Sequence, residues 1–303
     1  MRALLALSLL AACAAGGASL PADGARADDA GAAVFVGRHV WRSDLPEFGE
    51  FSGLHMTDGR GFVTVTDNGR IGRGSLQRDG AGRITAVRLD AFEPLRNAAG
   101  EPLRNDDADA ESVVVARDGR IFVAFERDHR VKVYDRLGGP GQALPRHPDF
   151  ARLRNNLGIE AMAMDANGTI YATPEMPPRG WSAGDHPVYR FRDGAWDDRL
   201  RITRTMLYLP VGAAFGPDGA FYLLERNFVP VLGFSSRVRR FAIGEDAITG
   251  GEVVLETPRG RYGNLEGLAV WRDGQGALVL TMISDDNRNP AMPTEWVEYR
   301  IGR

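Results

Sequence analysis

Acidic residues stand at the ends of a motif that recurs along this chain, and in that placement they could do chemistry together. Glu111 and Glu126 bracket one copy and Glu160 and Glu175 the next. Asp67 closes the first copy, Glu225 the fourth, and Glu266 opens the fifth with Asp285 just beyond it. Carboxylates that converge from separate segments supply oxygen ligands, and a hard cation such as Ca²⁺ takes six to eight of these. The set therefore points to a Ca²⁺ site at which metal-activated water could hydrolyse a phosphoric or carboxylic ester. Two other readings of the same residues stay open. Arg127, Arg226 and Arg288 are near enough in sequence to serve as counter-ions, and repeated acids also cap backbone N–H groups of neighbouring strands.

The motif itself has to position these acids. Its copies begin at Phe51, Ala110, Ile159, Val211 and Leu265, about every 50 to 60 residues, which is the spacing of propellers and other repeat arrays. Each copy is a short apolar stretch, a turn such as Asp118-Gly119 or Asn167-Gly168, and a second stretch rich in β-branched and aromatic residues, which predicts a hairpin. Strand-like runs follow, among them residues 130–134, 188–192, 199–207 and 237–243, and they bring most intervals to four strands, the size of a propeller blade. The fifth copy has only about three strands before the chain ends, and residues 33–42 can supply the one that closes the ring. The expectation is all-β: a single β-propeller domain over 28–303, with four-stranded blades. Five blades are counted, or six if the irregular stretch 140–156 hides another.

Residues equidistant from a two-residue turn face each other across a hairpin. That rule pairs Glu111 with Glu126, Glu160 with Glu175 and Ser52 with Asp67. It brings Val211 to Arg226 and Glu225 to Gly212 in the fourth copy, and Glu266 to Thr281 in the fifth. The first strand of a blade lines the central channel, so all these acids are expected on one face about the axis. Like charges directly opposite one another are destabilising, which argues for a cation between them. Ser52 and Val211 interrupt the ring of first-strand glutamates and make it asymmetric.

His129, close behind Glu126 and Arg127, is the histidine placed for acid–base work on that face, while Arg127 and Arg226 are expected to bind an anion. His55 falls on an inner strand, where a structural role is the simpler reading. The loop 174–186 leaves the acidic face as either a lid or an irregular connection. No Gly-x-Ser-x-Gly elbow, phosphate-binding glycine loop, Rossmann fingerprint or zincin spacing occurs. A formal net charge of −3 gives no reason to expect a nucleic acid or an anionic membrane as partner. A small anionic or ester substrate and a monomer are expected instead.

Residues 1–27 read as an export signal, with Arg2 followed by an apolar run too short to span a membrane. Leu10-Ala-Ala-Cys13 has the form of a lipobox, whereas Ala25-Arg-Ala27 has the form of an ordinary cleavage site. Either way the product is expected to be exported, periplasmic or lipid-anchored at Cys13. That residue is the only cysteine, so the mature fold has no disulfide.

At these same residues the chain resembles the phytase-like family, exported bacterial β-propellers described by an esterase-like activity of phytase. The resemblance rests on Phe51-Ser-Gly-Leu54 with Val65-Thr-Asp67, Asp109-Ala-Glu111 leading to Phe125-Glu126, and Ile159-Glu160-Ala161. It continues through Leu224-Glu225-Arg226-Asn-Phe228, Asn264-Leu-Glu266-Gly-Leu268 and Ser284-Asp-Asp-Asn287. It implies a propeller in which several Ca²⁺ ions neutralise substrate phosphate and activate water, aided by basic side chains. The chain departs from that pattern in lacking a lysine-rich phosphate pocket, so Arg127, Arg226 and Arg288 would have to serve. The alternative is a non-enzymatic periplasmic propeller that binds a ligand or partner with the same face.

Overall fold

The computed structural model describes residues 33–302 apart from 182–183 and 206; the expected export signal and Cys13 lie outside the described residues. Alternating apolar residues and glycine-bearing turns produce twenty strands among the described residues. They assemble into five four-stranded antiparallel sheets. The first blade is β2 (Phe51–Met56), β3 (Gly61–Thr66), β4 (Arg70–Arg78) and β5 (Ile84–Pro94). The second is β6 (Ala110–Val115), β7 (Ile121–Phe125), β8 (Arg130–Tyr134) and β9 (Gly141–Ala143). The third runs β10 (Ile159–Met164), β11 (Ile170–Pro174), β12 (Asp185–Arg192) and β13 (Ala195–Thr203), and the fourth β14 (Leu209–Phe215), β15 (Phe221–Val229), β16 (Gly233–Ile243) and β17 (Ile248–Glu256).

The fifth blade consists of β18 (Asn264–Arg272), β19 (Leu278–Asp285), β20 (Glu295–Ile301) and, as its outer strand, β1 (Val34–Val40). The N-terminal strand thus closes the ring: Val40 pairs with Glu295 and Val34 with Arg300. Without it β20 would expose an unpaired edge. The propeller has five blades, and residues 140–156 hold β9 and a short 3₁₀ helix rather than a sixth. The last strand of the third blade lies earlier than the expected 199–207, because Asp193 and Gly194 both take positive φ (52° and 80°) and form a tight two-residue turn between Arg192 and Ala195. Among the described residues no helix is long and apolar enough to cross a membrane.

Apolar residues fill the spaces between adjacent blades. Between the fifth and first, Trp41 stacks on Phe51 at 4.8 Å, and Phe62 meets Trp296 edge-on at 5.0 Å. Toward the axis the inner strands come closer than side chains allow. A Cβ on Gly212 would lie 2.1 Å from the Glu266 carbonyl oxygen, and one on Gly53 would lie 2.9 Å from Cα of Ser112. The equivalent positions on the other inner strands are Ser112, Ala161 and Gly267, all small, and Ser112 bridges to its neighbour by accepting from the Met162 N–H at 3.2 Å. Because the atom that blocks Gly212 is backbone, Gly212→Ala is expected to lower the unfolding free energy by about 1–3 kcal/mol. Urea denaturation of both proteins would measure the difference.

Candidate functional site

The inner hairpins do not turn as two-residue loops. In the second blade the Ala116 N–H donates to the Arg120 carbonyl at 2.8 Å, and Gly119 takes φ 89°, so three residues form the loop and its centre falls on Asp118. The same closure joins Asp165 to Thr169, Gly216 to Ala220 and Asp273 to Ala277. Ser112 therefore faces Ala124, Ala161 faces Thr173, Gly212 faces Leu224 and Gly267 faces Ile283. One step further the register slips again, at a β-bulge in the same place in every blade, on Ser52, Glu111, Glu160, Val211 and Glu266.

The facing pairs Glu111–Glu126, Glu160–Glu175, Ser52–Asp67, Val211–Arg226, Gly212–Glu225 and Glu266–Thr281 are thereby corrected. None of these residues are direct partners in the ladder. A bulge inserts one extra residue and re-aims its side chain, and in three of the five blades the bulged residue is a glutamate. The second-strand acids follow the last paired residue: the N–H groups of Asp67, Glu126 and Glu175 donate to the carbonyls of Glu50, Asp109 and Gly158 at 3.1, 2.9 and 2.7 Å. The same position holds Arg226 in the fourth blade, opposite Leu209, and Asp285 in the fifth, opposite Asn264.

Glu225 is consequently one residue off the ring. It is buried at 1% exposure and bound by Arg237 Nε and Arg239 Nη2, each at 2.7 Å, inside its own blade. The other acids gather. Oxygens of Glu111, Glu126 and Glu160 lie within 4.8 Å of one another, as do those of Asp67, Asp109 and Glu111. Arg226 reaches Glu175 at 2.9 Å, Asn264 Oδ1 at 2.8 Å, and Glu266. Ser52 donates to Asp67, an arrangement that closes its blade rather than exposing a nucleophile.

Asp109 and Asn264 were not among the sequence candidates for the site, although both lie two residues before a bulged glutamate. That spacing is a signal only once the bulge is known. Arg127 has a positive φ of 57° and pairs with Asp109 and Asp106 at the outer edge of the cluster. His129 is turned away from the acids: its Nε2 meets the Arg154 carbonyl at 3.1 Å, its ring packs on Gly158, and burial lowers its pKa. His55 lines a separate cavity of about 310 Å³ at the turn end of the channel, and burial pushes its pKa down to about 4. In the loop 174–186, Trp181 is bonded to Asp149 at 3.0 Å and covered by Arg201, so that part of the loop is tied to the third blade.

A family model described as "Phytase-like: Esterase-like activity of phytase" matches residues 46–288. No curated protein sequence matches significantly. Among solved structures, a gluconolactonase of Xanthomonas campestris is similar at 16% identity and TM-score 0.43, over 82% of this chain and 72% of that one. A PQQ-bound aldose sugar dehydrogenase of Streptomyces coelicolor is similar at 13% identity and TM-score 0.44, over 88% and 98%. A virginiamycin B lyase of Staphylococcus aureus follows at 12% identity and TM-score 0.40, over 88% and 75%. Likeness at these levels carries no argument about activity.

The electrostatics of the ring follow from burial. Burial first, and then neighbouring carboxylates, hold Asp67, Glu111 and Glu160 well above the ordinary carboxylate range. Burial raises Glu126 to about 7 despite the hydrogen bond that its Oε1 accepts from the Gly158 N–H, and burial with Glu266 nearby raises Asp285 to about 8. Burial would lower the Arg226 guanidinium, but Glu266 and Glu175 outweigh it and keep the group charged. Carboxyls whose folded pKa lies above the unfolded value bind more protons in the folded state, so the stability they contribute is present below about pH 4 and lost as pH rises through 7 to 8. In chelator the melting temperature is therefore expected to fall between pH 5 and pH 8. Thermal scans across that range would check it.

Proposed function

The chain belongs to the phytase-like family, and from that premise we propose that it is a Ca²⁺-dependent ester hydrolase whose chemistry occurs at the acidic end of the channel. The observation that supports this reading is the division of the ring. On one side Arg226 neutralises Glu175 and Glu266. On the other, oxygens of Asp67, Asp109, Glu111, Glu126 and Glu160 converge, and among the described residues no arginine or lysine forms an ion pair with Glu111, Glu126 or Glu160. A buried donor set made only of carboxylate oxygens fits Ca²⁺ rather than metals that prefer nitrogen or sulfur. Bound there, the ion would supply Lewis-acid chemistry and a more acidic water.

The chain's own groups would do the rest. Arg226, fixed by three acceptors and one-fifth exposed, presents a positive charge to the oxygens of a substrate at the ring's edge. Asn264 holds that geometry by donating to Glu266 at 2.9 Å while accepting from Arg226. Burial and the nearby Glu266 carboxylate raise the pKa of Asp285, which suits it to deliver a proton to the departing alcohol. Arg127 touches this site only through Asp109 at its outer edge, and His129 has no part in the reading, since its Nε2 meets the Arg154 carbonyl. The N-terminal export signal would put the activity in the cell envelope.

Calorimetric titration with Ca²⁺, together with release assays on phytate and on chromogenic phosphate and carboxylate esters, tests the proposal. Glu111→Gln is expected to weaken Ca²⁺ binding at least about tenfold and to abolish turnover. Asp285→Asn should instead retain Ca²⁺ and lose kcat. No Ca²⁺ uptake by the wild type would sink the reading, and uptake without turnover of any ester would leave a ligand-binding propeller.

A further inference from the structure

Beside the ring, on the side of Arg226, lies a cavity of about 650 Å³ whose apolar part the reading above does not use. Its polar end is formed by Arg226, Asn264 and Asn287, and Leu207, Phe228, Phe234 and Met292 line the remainder. The fourth blade builds it by extending its middle hairpin. The second strands of the neighbouring blades, Ile170–Pro174 and Leu278–Asp285, stop at the ring, whereas β15 continues to Val229 and β16 begins at Gly233. The extension pairs Phe228 with Phe234 across the ladder, their rings 4.7 Å apart.

Two of the lining side chains are large, apolar and open to water: Leu207 is 71% exposed and Phe228 56%. Apolar groups left exposed around a concavity that ends in a few convergent polar groups mark a ligand site. The charge of this one excludes a polyanion. Arg226 is the only cationic side chain among the described residues that line it, and its charge is already shared between Glu175 and Glu266. A substrate carrying several phosphates would thus meet a wall with no net positive charge and would lose its own hydration against apolar carbon.

We infer that this cavity is the acyl-binding subsite, and that the substrate is an uncharged ester with a short apolar acyl group rather than an inositol polyphosphate. The inference rests on the hydrolase reading above. The acyl chain lies between Leu207 and Phe228, and the ester group is held at the polar end, toward Arg226. Hydrolysis is balanced by water alone: the acyl carbon–oxygen bond breaks, the acid retains the water oxygen, and the alcohol leaves with a proton.

The test compares kcat/KM for p-nitrophenyl acetate, butyrate and hexanoate, with p-nitrophenyl phosphate as the anionic reference, in the presence of Ca²⁺. Burial of each methylene is worth about fourfold, so butyrate is expected to exceed acetate on the order of tenfold and the phosphate to be the poorest substrate. Phe228→Ser with Leu207→Ser should flatten the chain-length series without changing Ca²⁺ affinity. A flat series in the wild type, or an unchanged slope in the variant, overturns the inference. If no ester is turned over, the hydrolase reading itself fails and the fluorescence of anilinonaphthalene sulfonate decides the cavity. One saturable site abolished by the two substitutions upholds an apolar ligand there, and its absence overturns it.

Discussion

Repulsion among carboxylates crowded onto one axis is the constraint around which the upper face is organised. Five inner strands approach until the backbone of one meets that of the next, at Gly212 against Glu266 and at Gly53 against Ser112. At that point three of the five present a glutamate from a bulge, and the ends of the second strands add further acids. Water is largely excluded, so the charges can be neither solvated nor separated, and protonation, a counter-ion or a bound cation has to balance them.

The fold answers this differently on its two sides. The fourth blade replaces the acid pair by Val211 and Arg226, and the arginine draws Glu175, Glu266 and Asn264 into one network. The first three blades supply Asp67, Asp109, Glu111, Glu126 and Glu160; Arg127 pairs with Asp109 at the outer edge, and among the described residues no arginine or lysine forms an ion pair with Glu111, Glu126 or Glu160. A symmetric repeat is thus turned into a site with an anionic half, suited to a metal, and a neutralised half, open toward a cavity. Replacing one copy of the motif is enough to create the difference.

Much of this was legible in the residues. The five copies, the four-stranded blades, the closure by an N-terminal strand and the interruptions at Ser52 and Val211 all follow from local patterns, since alternation and turn glycines act over a few residues. The register was not legible. An Asp-Gly or Asn-Gly dipeptide fits both a two-residue turn and a three-residue loop with glycine in the left-handed region, and the two differ by one residue across the hairpin. The bulges were hidden too, because nothing in Ala110-Glu-Ser or Ile159-Glu-Ala marks an extra residue.

The sequence by itself therefore determined a propeller of four-stranded blades with an acidic face, because those features depend on neighbours in the chain, while the structure settled the blade number at five. Only the tertiary structure decided which acids meet. Glu225 lies one residue nearer its turn than Glu126 and Glu175 do, and it is taken up by Arg237 and Arg239 in its own blade. Arg226, one residue later, occupies the ring instead. Likewise His129 follows Glu126 by three residues and turns to the Arg154 carbonyl, while Asn264 joins the site from another blade. The direction of a side chain at a bulge is set by strands far apart in sequence, and no local pattern carries that information.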